Sequence, residues 1–103
     1  MAISGRARLD AMIEQATEDA HDVYEQLTGF HAMFEEHLVV PFTTTVLGVE
    51  ATVTTIDLCD GSGIVAICQR GTHRQAIGIL DLPLPEQPPT GWEWIEAYRR
   101  WAS

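Results

Sequence analysis

The apolar residues in the first third of the chain recur every three or four positions, which is the period of a helix with one buried face. Within residues 5–38 they are Leu9, Ile13, Ala16, Ala20, Val23, Leu27, Phe30, Phe34 and Leu38. One continuous helix fits this pattern, but we predict two helices with a break near Thr17–Asp19, because threonine and aspartate favour N-cap positions. Pro41 ends the second helix, since Val40 before it prefers an extended conformation.

After Pro41 the chain is rich in threonine, valine and isoleucine, which favour β-strands. The predicted strands are Phe42–Leu47, Val49–Leu58, Ile64–Cys68 and Arg74–Leu80. Gly48 separates the first two strands and marks a bulge or a tight bend, and tight turns are predicted at residues 60–63 and 71–73. Short antiparallel strands joined by tight turns predict a small β-barrel over residues 42–84.

The segment after residue 80 predicts a fifth, weaker element. Leu80, Leu82 and Leu84 alternate with other residues, as on a strand with one apolar face. Pro83 and Pro85 have no backbone N–H, so this piece is limited to a barrel edge or to a polyproline conformation. The proline-rich stretch that follows brings the chain back towards the body of the protein.

Residues 90–102 predict a closing helix. Thr90 and Glu93 have the spacing of a capping box, and Glu96 and Arg100 lie one turn apart, where they can form an ion pair. The apolar face of this helix contains Trp94, Ile95, Tyr98 and Trp101. Since its 103 residues contain no long linker, we predict one α+β domain, a small antiparallel barrel flanked by N-terminal helices and a C-terminal helix.

Charge narrows the functional classes. Fifteen acidic residues face six arginines and no lysine, which gives a net charge of −9. Nucleic acids and anionic membranes repel such a protein, whereas cations and basic partners are attracted to it. We therefore predict no nucleic-acid partner and no membrane partner.

The sequence also predicts a location and a redox state. Residues 1–6 lack the apolar stretch of a secretory signal, and no apolar run reaches the roughly 20 residues that a membrane span requires. These features predict a cytoplasmic protein. In a reducing compartment Cys59 and Cys68 are expected to be free thiols, and the apolar run that ends at Cys68 predicts that this residue is buried.

Two groups of side chains are candidates for metal binding. His31 and Glu35 lie one helical turn apart and would need further ligands from another element, but histidines beside an apolar stripe are commonly half-buried structural residues. Asp57 and Asp60 enter a predicted turn, where carboxylate and carbonyl oxygens suit a hard cation. A simple Asp-Gly hairpin turn is the alternative.

Catalytic sites are not predicted. The serines lie at the two ends of the chain and in a turn, outside any nucleophile elbow, and no glycine-rich phosphate loop occurs. Cys59, Cys68 and His73 match no zinc-motif spacing, so both cysteines are predicted to pack in the core. We therefore predict that the protein is not an enzyme.

The stretch from Glu35 to Thr43 combines a helix that ends in acidic residues, a hydrophobic step and a Pro-Phe junction. It resembles the bacterial calcium-binding protein family first described in cyanobacteria. The further segments that carry the resemblance are Gly48–Val53, Asp57–Gly61, Ile79–Leu82 and Glu93–Trp101, so that it covers about residues 30–101.

This resemblance implies an SH3-like barrel with flanking helices and calcium binding as a cytoplasmic buffer or sensor. Carried over by position, the acidic residues that would bind Ca²⁺ are Glu35, Glu36, Asp57, Asp60 and Asp81. The loop after Leu58 is shorter than in the family and holds fewer acids, which leaves a small ligand set for an ion that takes about six to eight oxygens.

The alternative function is a small protein-interaction module of the same fold that has lost the ion. Its partner surface would use Trp92, Trp94 or the Pro83–Pro89 stretch. The spacing of the tryptophans is more typical of core residues than of a ligand cage. A melting temperature that rises with calcium and not with magnesium would distinguish the first function from the second.

Overall fold

The computed structural model describes residues 5–59 and 63–103. Within these residues three α-helices and a four-stranded antiparallel sheet form an α+β fold, as predicted. The elements are α1 (Gly5–Ala16), α2 (Val23–His37), β1 (Phe42–Val46), β2 (Val49–Cys59), β3 (Gly63–Arg70), β4 (His73–Gly78) and α3 (Glu93–Ala102). A single 3₁₀ turn, Ile79–Asp81, follows β4. None of the helices in the described part of the chain is long and apolar enough to cross a membrane.

The break between α1 and α2 lies where the sequence predicts it, but a different residue caps α2. The Thr17 hydroxyl donates to the Ile13 carbonyl at 2.7 Å, so this side chain helps to end α1. Asp19 lies in the connecting turn with φ 63°, a left-handed conformation that aspartate tolerates better than most residues. The N-cap is Asp22, whose carboxylate accepts a hydrogen bond from the Glu25 N–H at 2.8 Å.

The strands form a meander in the order β1-β2-β3-β4. Two-residue turns, Leu47-Gly48 and Gly71-Thr72, connect β1 to β2 and β3 to β4. A bulge between Val53 and Thr55 shifts the alternation of β2 by one residue, so that both halves of this strand direct apolar side chains to one face. We call this the inner face; its residues are Phe42, Thr44, Val46, Val49, Ala51, Val53, Ile56, Leu58, Ile64, Ala66, Cys68, Arg70, His73, Gln75 and Ile77.

The helices cover one end of the inner face, which we call the covered end. Phe30 and Phe34 of α2 are fully buried there, and each ring makes a T-shaped contact with Tyr98 of α3, with centroids 5.3 and 5.8 Å apart. Ile95 of α3 and Ile64 of β3 belong to the same buried cluster. Such aromatic pairs contribute about 0.5–1.5 kcal/mol each beyond the burial of their area. Contacts between α2 and α3 are therefore a main stabilising feature of the fold.

The sheet is open, so an SH3-like barrel is not confirmed. Instead of a fifth strand, the chain after β4 forms the 3₁₀ turn and then crosses to β1, where the Thr44 hydroxyl donates to the Pro83 carbonyl at 3.0 Å. Leu82 is buried, whereas the leucines on either side of it are exposed. Pro83 and Pro85 offer no N–H to a ladder, which disfavours pairing of this segment with β1 as a fifth strand.

The start of α3 differs from the prediction. Trp92 is the N-cap and makes no side-chain capping bond, so Thr90 and Glu93 do not form a capping box. The Thr90 carbonyl instead accepts a hydrogen bond from the Val39 N–H at 2.9 Å. Gly91 has φ 91° and passes close to the carbonyl of His37. These contacts fix the start of α3 against the end of α2.

Two pairs of charged side chains join α3 to α1. Arg100 does not use the predicted partner Glu96; its Nε donates to the Asp10 carboxylate at 2.7 Å. This hydrogen bond lowers the pKa of Asp10 below its ordinary value. Arg8 and Glu93 approach to 3.5 Å on the same side. The predicted apolar face of α3 is confirmed, since Trp94, Ile95 and Tyr98 are buried.

Candidate functional site

Two histidines accompany the acidic residues at the end of α2. His31 Nδ1 lies 3.3 Å from a Glu35 carboxylate oxygen, and its Nε2 lies 3.2 Å from the Ile56 carbonyl of β2. His37 Nε2 lies 3.9 Å from Glu36, and the His37 ring stacks on a tryptophan of α3 at a centroid distance of 5.1 Å. The structural interpretation of the half-buried His31 is therefore confirmed, because this ring connects α2 to the sheet.

The other predicted calcium ligands lie on different elements. Asp57 is exposed on the outer face of β2, and its carboxylate accepts a hydrogen bond from the Leu58 N–H at 2.9 Å. Asp81 is exposed at the end of the 3₁₀ turn, and Asp60 lies outside the described residues. Across residues 5–59 and 63–103, no three His, Cys, Asp or Glu side chains are grouped to hold a metal ion. Calcium binding stays a prediction.

Trp92 and Trp94 are core residues, with exposed fractions of 4% and 6%. Trp92 packs edge-on against Phe42 of β1 at 6.0 Å, and the Arg99 guanidinium lies 5.6 Å from the Trp92 ring centre. Arg99 also donates to backbone carbonyls of the 3₁₀ turn and of Leu82. The core interpretation is confirmed, and burial leaves neither indole ring available to contact a partner in this conformation.

A concave site lies at the end of the inner face that the helices leave uncovered, which we call the open end. It encloses about 450 Å³. Its apolar floor consists of Val46, Val49, Ala51, Cys68 and Ile77, and its rim consists of Leu47, Arg70, His73, Arg74 and Gln75. The floor residues continue the same apolar rows that form the core at the covered end. The open end is thus an extension of the hydrophobic core into solvent.

The rim of the open end carries positive charge without a counter-charge. Arg8 and Arg100 pair with acids of neighbouring helices, and Arg99 donates to backbone carbonyls. Neither Arg70 nor Arg74 has an acidic side chain at ion-pairing distance in the part of the chain that the structure describes. In a chain with a net charge of −9, these two guanidinium groups form an isolated cationic rim.

Cys68 and His73 both line the open end, and the Cys68 thiol donates to the Ala66 carbonyl at 3.9 Å. The Cys68 thiol is buried, and burial raises its pKa above the ordinary value, which favours the neutral thiol. Cys59, at the end of β2, is also a free cysteine and does not line this site. The arrangement is suited to bind a group that combines an apolar part with a negative charge.

No family model, curated protein or solved structure matches this chain. The comparisons therefore identify no calcium-binding family, and the resemblance at residues 35–43 stays a prediction.

The residues at the tips of two hairpins indicate the open end, although the alternation along each strand does not. Apolar residues persist up to the tip of the first hairpin, at Val46, Leu47 and Val49, where polar turn residues are usual. Arg70 and Arg74 flank the tip of the second hairpin. The meander places these two tips at the same end of the sheet, where both line the open end; the periodicity of a single strand does not report this.

Proposed function

We propose that this chain is a non-enzymatic binding module that holds an anionic, partly apolar segment of a partner at the open end of its sheet. The observation that carries the proposal is the continuation of the apolar inner face beyond the helices to a rim with two unpaired arginines. A volume of about 450 Å³ is typical of ligand sites. This function corresponds to the interaction-module alternative, with a different surface from the tryptophans.

The two arginines of the rim favour an anion with two oxygens that can accept parallel hydrogen bonds. A guanidinium group donates two parallel hydrogen bonds to a carboxylate or phosphate and is weakly hydrated, so it binds such groups well at a partly desolvated site. The overall acidity of the chain opposes anions elsewhere, because like charges repel. An anionic ligand would therefore be directed to Arg70 and Arg74.

Binding of the anionic dye 8-anilinonaphthalene-1-sulfonate tests this function, since the dye joins a sulfonate to apolar rings. We expect dye fluorescence to increase with the native protein and to fall at least fivefold with the double variant R70Q/R74Q. Arg6→Gln, a change on α1 far along the chain from the site, is the matched control and should bind as the wild type does. An unchanged response of R70Q/R74Q, with native circular dichroism, would refute the proposal.

Calcium binding is tested separately. Calorimetric titration with Ca²⁺ and with Mg²⁺ measures whether either ion binds, and the variants Glu36→Gln and Asp57→Asn examine the ligand set implied by the resemblance. Selective binding of Ca²⁺ that both variants weaken would support the predicted site. If both variants bind Ca²⁺ like the wild type, the predicted ligand set is wrong.

A further inference from the structure

Strand β4 lies at the edge of the sheet, and its hydrogen-bonding pattern shows which backbone groups are free. Arg70 and His73 close a two-residue hairpin, so this pair exchanges both of its hydrogen bonds. Along an antiparallel ladder such pairs alternate, and Gln75 and Ile77 therefore also bond to β3. The N–H and C=O groups of Arg74 and Ala76 must point away from β3, towards the outer edge.

The outer edges of β4 and β1 differ in what lies near them. The chain segment around Pro83 packs near β1, where the Pro83 carbonyl accepts a hydrogen bond from the inner-facing Thr44 hydroxyl; this bond uses a side chain and not the edge backbone of β1. For β4, no backbone hydrogen bond joins residues 73–78 to a loop or turn elsewhere in the described chain. An edge with free donors and acceptors, no proline and no bulge is a template for another strand.

We propose that the partner segment binds as an extended strand that adds to the outer edge of β4. This inference rests on the proposed function and names how the open end is occupied. An added strand places alternate side chains on the two faces of the sheet. The residue opposite Gln75 faces inward, at the β4 side of the apolar floor, and the residue opposite Arg74 faces outward, beside the Arg74 guanidinium.

Charge complementarity selects the sequence of this strand. An acidic residue opposite Arg74 makes a favourable cross-strand pair, whereas a basic residue there is repelled. An apolar residue one position away, opposite Gln75, lies on the inner side of the sheet next to Ile77, which lines the open end. The partner is therefore a segment of another protein in which acidic and apolar residues alternate, as in Glu-Val-Glu-Val.

A fluorescein-labelled peptide, Glu-Val-Glu-Val-Glu-Val with blocked ends, tests this inference by fluorescence anisotropy. Its matched control has the same side chains but N-methyl groups on alternate backbone nitrogens, which remove the ladder donors. We expect the N-methylated peptide, and a Lys-Val version, to bind at least tenfold more weakly. Hydrogen exchange measured by NMR should show slower exchange at the amides of Arg74 and Ala76 when the first peptide is bound.

Two protein variants complete the test. Ala76→Pro removes a donor that points away from β3, so it should weaken peptide binding at least tenfold while the sheet is retained. Arg74→Glu should favour the Lys-Val peptide instead. If Ala76→Pro does not fold, the N-methylated peptide still decides the question, because it leaves the protein unchanged.

The outcomes separate this inference from the proposed function. Equal binding of the normal and N-methylated peptides would overturn strand addition and leave the binding module intact. Dye binding without peptide binding would do the same. Failure of both dye and peptide would overturn both. A concentration-dependent dimer in sedimentation that protects the same amides without peptide would also overturn the inference, because the occupant would then be a second copy of this chain.

Discussion

Val53 and Val49 lie on the same strand and the same face, yet their surroundings are opposite. Val53 lies at the covered end and is fully buried, whereas Val49 lies at the open end and is half-buried. The alternation along β2 is equally apolar at both positions, so periodicity reports which face a residue occupies and not what lies above it. The length and direction of the helices decide where the core stops. The open end is consequently a surface made from core-type residues.

Isoleucine truncation should show the largest difference between the two ends. Ile64 is buried at the covered end, and Ile64→Ala is expected to lower the free energy of unfolding by about 2–5 kcal/mol, because it leaves a cavity. Ile77→Ala, at the open end, should cost about 1 kcal/mol or less, since solvent fills the space. Urea denaturation of both variants measures this. Equal losses would mean that the open end is packed as tightly as the core.

Glycine replacement should give the next largest difference. Both Gly91 and Gly71 have positive φ. A methyl group at Gly91 would lie 2.7 Å from the Leu38 Cα, whereas a methyl group at Gly71 would have no atom within 4 Å other than those of Gly71 and its two chain neighbours. Gly91→Ala combines backbone strain with overlap and is expected to destabilise by about 3 kcal/mol. Gly71→Ala should cost about 1–2 kcal/mol from strain alone. Thermal unfolding measures the loss of stability in each variant. Similar losses would show that the backbone where α3 begins can move away from the end of α2 to accept the methyl group.

Cysteine labelling compares the two thiols of the chain. Cys68 is buried and Cys59 is partly exposed, so native Cys68 should react with iodoacetamide on the order of tenfold more slowly than Cys59, because it requires local opening. Mass spectrometry of the time course gives both rates. Faster labelling of Cys68 would mean that the open end extends deeper into the sheet than its residues indicate.

Burial of Cys68 also predicts a dependence of stability on pH. Because its folded-state pKa is raised, the unfolded state loses this proton first. The stabilising contribution is complete below the ordinary pKa of 9.0 and is lost as the pH rises through the folded-state value. Cys68→Ala should reduce the loss of unfolding free energy between neutral and alkaline pH. An identical alkaline profile in this variant would argue against the contribution.

The smallest effect is expected at the tip of the first hairpin. Leu47 has φ 50° and is 97% exposed. Leu47→Asn should stabilise the fold by about 0.5–1 kcal/mol, since asparagine tolerates this conformation and Asn-Gly suits the turn. Leu47→Ala, which keeps the unfavourable conformation, should not stabilise. If Leu47→Asn is stabilising and also weakens dye binding, the leucine is retained at a cost to stability because it contacts the ligand.

The sequence was sufficient to predict features that depend on local pattern. The helix break, the turn at residues 71–72 and the buried face of α3 all follow from periodicity and turn chemistry. At Gly48 the sequence left a bulge or a tight bend open, and the structure has a two-residue turn that includes Leu47. Barrel closure did not follow, because it depends on whether residues 82–85 can offer N–H groups to β1, and Pro83 and Pro85 cannot. The predicted calcium ligand set was carried over from a sequence resemblance, which does not report how far apart its members lie in the fold.

Side-chain competition explains the rest of the differences at the candidate site. Glu35 and Glu36 are unfavourable at a helix C-terminus, and the resemblance places both of them in the calcium ligand set. In the structure His31 and His37 lie beside these carboxylates. Arg100 pairs with Asp10 of α1 and not with Glu96, which lies one turn away on its own helix. Asp10 and Arg100 are 90 positions apart in the sequence, so the spacing of residues within one helix cannot predict this pair. Interactions between distant segments are therefore the part of this fold that requires coordinates.

The position of α3 sets an order for folding during synthesis. The strands β1 to β4 contact one another in sequence and are joined by short turns, so they can pair as soon as they leave the ribosome. The aromatic rings of α2 contact Tyr98 only after α3 emerges, so until then α2 alone covers this end of the sheet. A nascent chain arrested before residue 93 would leave the open end and the α3-facing part of the covered end exposed, and so would present a chaperone with a larger apolar surface than the finished protein does.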